Sequence, residues 1–442
     1  MASRESWATR IGFIIAAVGS AVGLGNIWRF PFLTGEAGGA AFLVVYLGLV
    51  AVVGLPVLLA ELVIGRRSKR NPIGAFDALG KPAWKFIGGL GALAGLIILS
   101  YYSVVGGWVI QYIIGSLTGG YVADSEAFFL DVAMGWDTVA FDFVFMAIVA
   151  GIVALGIRNG LERAAKVMVP SVIVLLVVLA AYGATLDGAS AAYSYYLSPD
   201  MEYLTGNFFS ILPDAAGQAF FTLSLGMGVM ITYASYLGED RSLLKDSGYI
   251  VVIDTAIAFL AGLVVFPFLF TQGIEPGSGG AGAVFISLAA AFAELPAGNL
   301  IGAVFFIMLG IAALTSAFSI LEVVVSFVID STDIERTPAT IVIAASIFVI
   351  GIPTALDLTY LDLYDKFANN ILLILGGMLL SIFVGLVYAD GAKAELSEGS
   401  PLGASIAPIW VLVSAVVVPV VLAITLYFGV VEYIEFLRES FL

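Results

Sequence analysis

The first apolar segment of the chain contains the stretch GSAVGLGNIWRFP, Gly19 to Pro31. Three glycines, an asparagine and an arginine stand within these thirteen residues. Glycine lowers helix stability and a charge is costly in lipid, so a segment that only anchored the protein would not contain them. The pattern indicates a membrane helix that is interrupted, so that its backbone groups are exposed for a function.

The composition is that of a polytopic helical membrane protein. Of 442 residues, 61% are hydrophobic and 12% are charged, and the mean hydropathy is +1.07. Apolar runs of about twenty residues recur, and no cleavable signal peptide is predicted. Cysteine and histidine are absent, and there is no phosphate loop or nucleophile–base pair, so we expect no enzyme activity. The net charge of −15 indicates either drift in exposed loops or a high-salt habitat.

Eleven membrane spans are predicted from the hydropathy. They cover residues 11–34, 40–65, 86–116, 138–157, 165–185, 208–237, 248–271, 298–329, 338–354, 361–388 and 404–428. Residues 281–295 form a shorter apolar stretch, for which we expect a re-entrant or surface helix. With a cytoplasmic N-terminus, this count places 15 of the 18 basic residues on the inner side, as the positive-inside rule requires.

Two of the spans are interrupted at corresponding positions. Span 1 carries GSAVGLG, and span 6 carries TLSLGMG, Thr222 to Gly228. Paired interruptions of this kind are the best sequence pointer to a transporter binding site. Because five is odd, two five-helix repeats would lie in opposite orientations. We expect them over residues 1–185 and 208–388, with a peripheral eleventh helix at 404–428.

Unwound backbone at the bilayer midplane offers carbonyl oxygens to a cation and amide groups to an anion. The stretch around Asn26 can therefore hold an alkali cation and a carboxylate together. The alternative is that Gly19 and Gly23 only allow close helix packing, in a small-xxx-small pattern. That alternative does not explain Asn26 and Arg29.

Three stretches carry a resemblance to a known family. They are WATRIGFIIAAVGSAVGLGNIWRFP (residues 7–31), GQAFFTLSLGMGVMITYASY (residues 217–236) and ALTSAFSILE (residues 313–322). They resemble the first, sixth and eighth helices of the neurotransmitter:sodium symporter family, in its prokaryotic eleven-helix branch of amino-acid transporters. The resemblance implies an all-α, LeuT-type fold, which is a 5+5 inverted repeat with broken helices 1 and 6. It also implies Na⁺ as the coupling ion, two ions per substrate by default, and no other cofactor.

The resemblance implies two sodium sites. The first would use Ala21, Asn26, Thr222 and Asp254, together with the substrate carboxylate. The second would use Gly19, Val22, Ala312, Thr315 and Ser316. All-oxygen ligands of this kind suit Na⁺. Taken alone, Thr315 and Ser316 are explained more simply by hydroxyls bonded back to their own helix, but the rest of the set favours the ion site.

Asp254 departs from the asparagine that many family members have on span 7. Other bacterial members place a glutamate one turn further on, where this chain has Ala258. Asp254 would then supply the negative charge that chloride supplies in chloride-dependent relatives, and we predict chloride-independent transport. The alternative is a carboxylate that only hydrogen-bonds to its neighbours, which is unusual for an acid at this depth.

The implied substrate is a neutral amino acid with a branched or aromatic side chain. Its carboxylate would meet the amides of Leu24 and Gly25 and the hydroxyl of Tyr102. The other residues implied by the resemblance are Ala21, Ile98, Phe221, Thr222, Ser224, Met227, Ser316, Ala317 and Ile320. Core packing explains each apolar member taken singly, whereas the set together indicates a roomy apolar pocket.

Two gates are also implied. Arg29 and Asp365 would pair on the outer side, unless Lys366 competes for the acid. The inner gate would comprise Arg4, Asp330, Trp7 and Tyr236. The stretch GLERAAKVMVP, Gly160 to Pro170, resembles a motif that lets the inner end of span 5 unwind. A helix start near its glycine, with a tolerated proline kink, is the alternative.

Two other functions stay open, namely a proton-coupled amino-acid transporter of the same fold and an amino-acid sensor that does not transport. The first would not need all the predicted sodium ligands together, and the second would need a domain that reads out a signal. A channel would show pore-lining repetition, which is not seen. The expected partners are the substrate, sodium ions and the lipid of the cell membrane, with no nucleic acid. The expected state is a monomer or a weak homodimer.

Overall fold

The computed structural model describes residues 7, 9–238, 241–276, 282–398 and 400–441. All regular structure within these ranges is helical, as the sequence predicts. In chain order the helices are α1 (Arg10–Ala21), α2 (Gly25–Glu36), α3 (Ala40–Ser68), α4 (Pro72–Ala78), α5 (Pro82–Thr118), α6 (Ser125–Ala133), α7 (Trp136–Ala154), α8 (Ile157–Gly183), α9 (Ala189–Leu197), α10 (Met201–Thr222), α11 (Val229–Ser235), α12 (Leu243–Thr271), α13 (Ala283–Glu294), α14 (Gly298–Ser331), α15 (Arg336–Leu356), α16 (Leu358–Val387), α17 (Ala389–Ser397) and α18 (Pro401–Phe441).

Nine of the described helices are long and apolar enough to cross a membrane, and they are α3, α5, α7, α8, α12, α14, α15, α16 and α18. A tenth crossing is the pair α1 and α2, which is bent by 48° at its break. The predicted span 208–237 corresponds to α10 and α11, which are separated by residues 223–228. Because α11 has only seven residues, the count of eleven spans stays a prediction.

Helix boundaries differ from the predicted ones where helices continue beyond the apolar run. α8 begins at Ile157 rather than at residue 165, and α18 reaches Phe441 rather than residue 428. Hydropathy marks the part of a helix that suits lipid, whereas backbone hydrogen bonding continues into the polar region. The short apolar helix expected at 281–295 is confirmed as α13. Hydropathy did not predict α4, α6, α9 and α17.

Short polar sequences start several of the helices between the spans. The side chain of Asn71 accepts hydrogen bonds from the amides of the second and third residues of α4, and Pro72 takes the first helical position. Asp124 and Asp200 cap α6 and α10 in the same way. An Asn or Asp cap accepts hydrogen bonds from amide groups that have no partner in the first helical turn, and proline has no amide hydrogen that needs an acceptor.

Helices approach closely where one of them carries a small residue. A Cβ on Gly107 of α5 would lie 2.8 Å from the amide nitrogen of Asp142 in α7. A Cβ on Gly351 of α15 would lie 2.2 Å from the carbonyl oxygen of Ser100 in α5. Small residues let helix backbones meet in lipid, where no hydrophobic force drives them together. The helices α5, α7, α14 and α15 therefore form one block beside the broken helices.

The stretch from Gly160 to Pro170 is helical in this conformation. Gly156, with φ 79°, separates α7 from α8, and α8 continues past Pro170. A Cβ on Gly160 would lie 2.1 Å from the carbonyl oxygen of Ile152, so this glycine allows a tight connection. The structure therefore matches the tolerated-proline alternative, and unwinding stays a prediction for another conformation.

Candidate functional site

The first break lies between α1 and α2. α1 ends at Ala21, and the next residue has an extended backbone. The side-chain oxygen of Asn26 accepts a hydrogen bond from the amide of Gly23 at 3.1 Å. This bond satisfies the Gly23 amide, which has no helical acceptor because of the break. A Cβ on Gly23 would lie 2.2 Å from Oγ of Ser316 and 2.7 Å from the hydroxyl of Tyr102. Glycine is therefore the residue that fits between α5 and α14 here.

The second break lies between α10 and α11. Ser224, Gly226 and Gly228 have positive φ angles of 53°, 78° and 78°, which glycine adopts readily and serine rarely. The fully buried carboxylate of Glu61 on α3 accepts the amide hydrogen of Gly226 at 2.7 Å. Glu61 is missing from the predicted site. The signal that reveals it is a lone acid within the predicted span 40–65.

Asp254 on α12 connects the two breaks. Its carboxylate is fully buried, and Oδ1 accepts a hydrogen bond from Nδ2 of Asn26 at 2.8 Å. The hydroxyl of Thr222 lies 3.2 Å from each carboxylate oxygen. Three of the four residues predicted for the first sodium site therefore meet, and the fourth, Ala21, ends α1 at the break. Since Asn26 and Thr222 are neutral, neither would balance the charge of an ionised carboxylate at this position.

Thr315 on α14 faces the first break. Its hydroxyl lies 3.2 Å from the carbonyl oxygen of Val22 and 2.8 Å from that of Ala312. A Cβ on Gly19 would lie 3.6 Å from the Cβ of Thr315. Four of the five residues predicted for the second sodium site are thus neighbours. The bond to Ala312 is ordinary back-bonding within one helix, but the bond to Val22 crosses to the first break.

Four buried serine hydroxyls join the helices around the pocket. Ser316 and Ser224 both donate to the carbonyl oxygen of Ser20, at 3.0 Å and 2.9 Å. Ser319 donates to the hydroxyl of Ser20 at 2.8 Å. Ser316 therefore reaches α1 at Ser20. Ser20 and Ser319 are missing from the predicted site, and the serines three residues apart on α14 are the signal for Ser319.

Tyr102 lies against the first break. Its hydroxyl accepts a hydrogen bond from the amide of Leu24 at 3.1 Å, so an amide predicted to bind the substrate carboxylate points toward α5. A Cβ on Gly25 would lie 2.7 Å from the ring of Phe221. The remaining predicted pocket residues are all buried: Ala21, Ile98, Thr222, Ser224, Met227, Ser316, Ala317 and Ile320.

The two residues predicted for the outer gate lie close together, and a third side chain contacts Arg29. Nη2 of Arg29 lies 3.8 Å from Oδ2 of Asp365, and the guanidinium carbon lies 5.4 Å from the ring centroid of Phe221. Nη1 of Arg29 donates to Oε1 of Gln218 at 3.0 Å, and Nε2 of Gln218 donates to the carbonyl oxygen of Gly25 at 2.7 Å. Gln218 thus connects the gate to the first break. It was not predicted, although it lies within a stretch that carries the family resemblance.

Lys366 forms its ion pair with an acid other than Asp365. Its Nζ pairs with Oε1 of Glu432 on α18 at 2.5 Å, and Oε2 of Glu432 accepts from Asn370 at 3.1 Å. The helix predicted to be peripheral therefore contributes to the outer vestibule. This vestibule is a cavity of ≈ 280 Å³ that contains more acids than bases. Its charged lining residues are Arg29, Glu36, Asp214, Asp362, Asp365, Lys366 and Glu432.

The region predicted to form the inner gate contains a connected set of aromatic and charged groups. Nε1 of Trp7 donates to the carbonyl oxygen of Tyr233 at 2.9 Å, and its ring meets that of Tyr236 at 6.4 Å between centroids. The hydroxyl of Tyr236 donates to Glu322 at 2.9 Å. Glu322 in turn pairs with Arg336 at 2.6 Å. Trp7 and Tyr236 therefore meet as predicted, whereas Glu322 and Arg336 were not identified from the sequence.

The other predicted inner pair is Arg4 with Asp330. Arg4 lies outside the described residues. Oδ2 of Asp330 accepts hydrogen bonds from the backbone amide and the side-chain amide of Asn71, at 3.2 Å and 3.0 Å. Asp330 thus joins the end of α14 to the start of α4.

Comparison with known proteins gives matches along nearly the whole chain. A model of the sodium:neurotransmitter symporter family matches residues 4–124 and 133–441. The chain is 36% identical to the uncharacterized sodium-dependent transporter YhdH of Bacillus subtilis, over 95% of this chain and 96% of that protein. It is 34% identical to a protein of Methanocaldococcus jannaschii with the same description, over 96% of this chain and 90% of that one.

A solved structure agrees with these matches. The crystal structure of MhsT in complex with L-phenylalanine has a TM-score of 0.86 and 38% sequence identity to this chain. The match covers 97% of this chain and 100% of that one, so it confirms the LeuT-type helical fold. The family consists of transporters. We conclude that the chain belongs to the sodium:neurotransmitter symporter family and is a multi-span, sodium-dependent membrane transporter.

Proposed function

We propose that the chain takes up a neutral, hydrophobic L-amino acid together with Na⁺ by alternating access. The observation that carries the proposal is the fully buried Asp254 carboxylate, which lies between the two breaks and is bonded to the neutral Asn26 and Thr222. An isolated charge at this depth is costly unless a positive partner balances it. Na⁺ is a cation of the right kind for these oxygen ligands.

In the first sodium site, the ligands would be Ala21, Asn26, Thr222, Asp254 and the carboxylate of the substrate. Because the substrate supplies a ligand, ion and substrate each bind more tightly when the other is present, which is a coupling free energy. Because Asp254 supplies a fixed negative charge, the site does not need chloride.

In the second sodium site, the ligands would be Gly19, Val22, Ala312, Thr315 and Ser316. An ion there would hold the end of α1 against α14, and its release would free α1 to move. Ser316 donates its hydroxyl hydrogen to Ser20, and the lone pairs of the hydroxyl oxygen stay available to the ion.

The substrate pocket would lie between the breaks. The amides of Leu24 and Gly25 and the hydroxyl of Tyr102 would bind the carboxylate, and the apolar residues around Ile98 and Ile320 would take the side chain. MhsT, which is similar over its whole length, has been crystallised with L-phenylalanine, and this supports a hydrophobic substrate here.

The protein would lie in the cell membrane with its N-terminus in the cytoplasm, as a monomer or weak homodimer. It would have eleven spans in two inverted repeats, residues 1–185 and 208–388, with a last helix at 404–428. Arg29 and Asp365 would close the outer side, and Arg4, Asp330, Trp7 and Tyr236 the inner side.

The test is uptake of radiolabelled phenylalanine, leucine and tryptophan into proteoliposomes. We expect accumulation with an inward Na⁺ gradient, none with K⁺, and no effect of replacing Cl⁻ by gluconate. Accumulation driven by a proton gradient without Na⁺ would support the proton-coupled alternative. Binding without accumulation would support a sensor.

The role of Asp254 is tested separately with Asp254→Asn. If Asp254 replaces chloride, the variant should transport only when Cl⁻ is present, or not at all. A variant whose Na⁺ dependence and Cl⁻ indifference are both unchanged would show that this carboxylate has no role with the ion.

A further inference from the structure

A second cavity adjoins the outer vestibule, where the end of α2 meets α9, the start of α10 and the end of α12. Its volume is ≈ 840 Å³. Three aromatic rings and two carboxylates line it, and they belong to Tyr195, Tyr203, Phe270, Glu36 and Glu275. We call this cavity the aromatic–acid cleft. Because Glu36 also lines the outer vestibule, the two cavities lie side by side.

The turn between α2 and α3 holds two of the rings in place. Gly38 and Gly39 have positive φ angles of 81° and 61°, which glycine adopts readily. A Cβ on Gly38 would lie 2.2 Å from the ring of Tyr203, and a Cβ on Gly39 would lie 2.6 Å from the carbonyl oxygen of Tyr195. The hydroxyl of Tyr195 also donates to the carbonyl oxygen of Gly35 at 2.8 Å. The fold therefore sets the positions of both tyrosines.

The electrostatic character of the cleft is negative. None of its described lining residues is a lysine or an arginine. The bases that act on Glu36 are Arg29 and Lys366, and each of them already pairs with another acid. Asp200 and Glu202, at the start of α10, add further negative charge beside the cleft. The cleft therefore attracts a cation rather than an anion.

The aromatic rings determine which kind of cation fits. A metal ion needs several oxygen ligands around it, and no group of three acidic, histidine or cysteine side chains within the described ranges could hold one. An organic ammonium ion gains instead from both carboxylates and aromatic faces. The ring centroids of Tyr195 and Phe270 are 5.6 Å apart, and Tyr203 is 37% exposed, so a ligand in the cleft can reach aromatic surface.

We propose that the aromatic–acid cleft binds a free organic ammonium ion with methyl groups on its nitrogen, such as choline. The methyl groups lie against the rings of Tyr195 and Tyr203, and the positive charge lies beside Glu36. Because Glu36 is shared with the vestibule, the bound cation adds positive charge at the entrance to the pathway. The site is distinct from the substrate pocket between the breaks, and it does not rest on the proposed transport activity.

The experiment is saturation-transfer NMR on the full-length protein in dodecyl maltoside, which has no ammonium group. The probe is choline, and titration of its methyl signal gives a Kd. The first control ligand is the uncharged analogue in which a tert-butyl group replaces the trimethylammonium group. The second is glycerophosphocholine, which carries the head group of a phospholipid and so distinguishes a lipid from a free cation.

Four variants locate the binding. Tyr203→Leu removes a ring, and Tyr203→Phe keeps it. Glu36→Gln removes a charge from the cleft. Glu439→Gln is its matched control, because Glu439 is an exposed acid on α18 that does not line the cleft. Thermal unfolding checks that each variant is folded, and if Tyr203→Leu is not, Glu36→Gln and the uncharged analogue carry the test.

We expect the parent protein, Tyr203→Phe and Glu439→Gln to bind choline alike. Tyr203→Leu should bind it about fivefold more weakly through the loss of a cation–π contact, and Glu36→Gln about fivefold more weakly through the loss of a partly exposed charge. The uncharged analogue should bind more weakly than choline, and so should glycerophosphocholine, since its phosphate meets the acids.

Three results would overturn the proposal. They are an absence of choline binding, equal binding of choline and its uncharged analogue, and binding that neither Tyr203→Leu nor Glu36→Gln weakens. Tighter binding of glycerophosphocholine than of choline would overturn the assignment to a free cation. Because the assay needs no transport, a failure of Na⁺-dependent uptake leaves this test unaffected.

Discussion

The groups proposed to close the outer and inner sides of the pathway are similar but lie in different surroundings. Outside, the ends of Arg29 and Asp365 are 3.8 Å apart and 11% and 25% exposed, and a cavity adjoins them. Inside, the ends of Arg336 and Glu322 are 2.6 Å apart and 13% and 0% exposed, and Tyr236 donates to the same carboxylate.

This difference predicts which of the two proposed closures is harder to open. A charge pair that water reaches contributes little, because solvent screens it, whereas removing one member of a buried pair leaves the other without compensation. We therefore expect the inner closure to be the costlier one to open. Four predictions test this ranking, and the chain's lack of cysteine lets a single introduced thiol report on access.

The largest effect is expected from Glu322→Gln. The change removes the carboxylate that pairs with Arg336 and accepts a hydrogen bond from Tyr236. Because the Tyr236 bond joins α14 to the end of α11, we expect a cost of about 3 kcal/mol, or roughly a hundredfold shift toward states open on the inner side. The measurement is the rate of thiol labelling in an Ala16→Cys background, since Ala16 is fully buried on α1. Equal labelling rates with and without the change would contradict the importance given to this pair.

A smaller effect is expected from Trp7→Phe. The aromatic contacts with Tyr233 and Tyr236 are largely kept, but the hydrogen bond from Nε1 to the Tyr233 carbonyl is lost. One such bond is worth about 1 kcal/mol, so the same labelling rate should rise about fivefold. A rise as large as that of Glu322→Gln would mean that the ring, rather than the ion pair, keeps the inner side closed.

A still smaller effect is expected from breaking the outer pair, Arg29 and Asp365. Asp365→Asn removes a partly exposed charge at 3.8 Å, and we expect at most about 1 kcal/mol, seen as a two- to fivefold faster release of bound amino acid. Raising the ionic strength with a potassium salt should reduce the difference from the parent protein. A loss larger than that of Glu322→Gln would reverse the comparison between the two closures.

The smallest effect is expected from Lys366→Met at the vestibule wall. Lys366 and Glu432 are 31% and 39% exposed, so we expect about 0.5 kcal/mol or less and a change in substrate KM of no more than about twofold. Glu432→Gln serves as the matched partner variant. A large change in both would show that α18 controls entry to the vestibule.

The two breaks and the residues beside them could be predicted from the sequence because short, local patterns encode them. Glycine at 23, 226 and 228 marks unwound backbone, and Asn26 and Thr222 lie next to these breaks. The contacts of Asn26 and Thr222 with Asp254 could be predicted only from the family resemblance, because residues on different helices give no local sign of contact.

The residues that sequence did not reveal act through partners far along the chain. Lys366 and Glu432 are 66 positions apart, and Gln218 reaches Gly25 across 193. Hydropathy predicts which helices lie in lipid, but it does not predict which of their polar side chains are in contact. The same limit explains why α18 was expected to be peripheral, whereas its Glu432 reaches the outer vestibule.

The close contact at Gly23 has a consequence for how this pocket can evolve. Any larger residue at that position meets Ser316 and Tyr102 on two other helices, and turning Ser316 aside breaks its bond to Ser20. A substrate that requires a side chain at position 23 would therefore need simultaneous substitutions at three positions. Single-step mutational paths to such a substrate are closed, and laboratory selection for one should begin from libraries that vary Gly23, Tyr102 and Ser316 together.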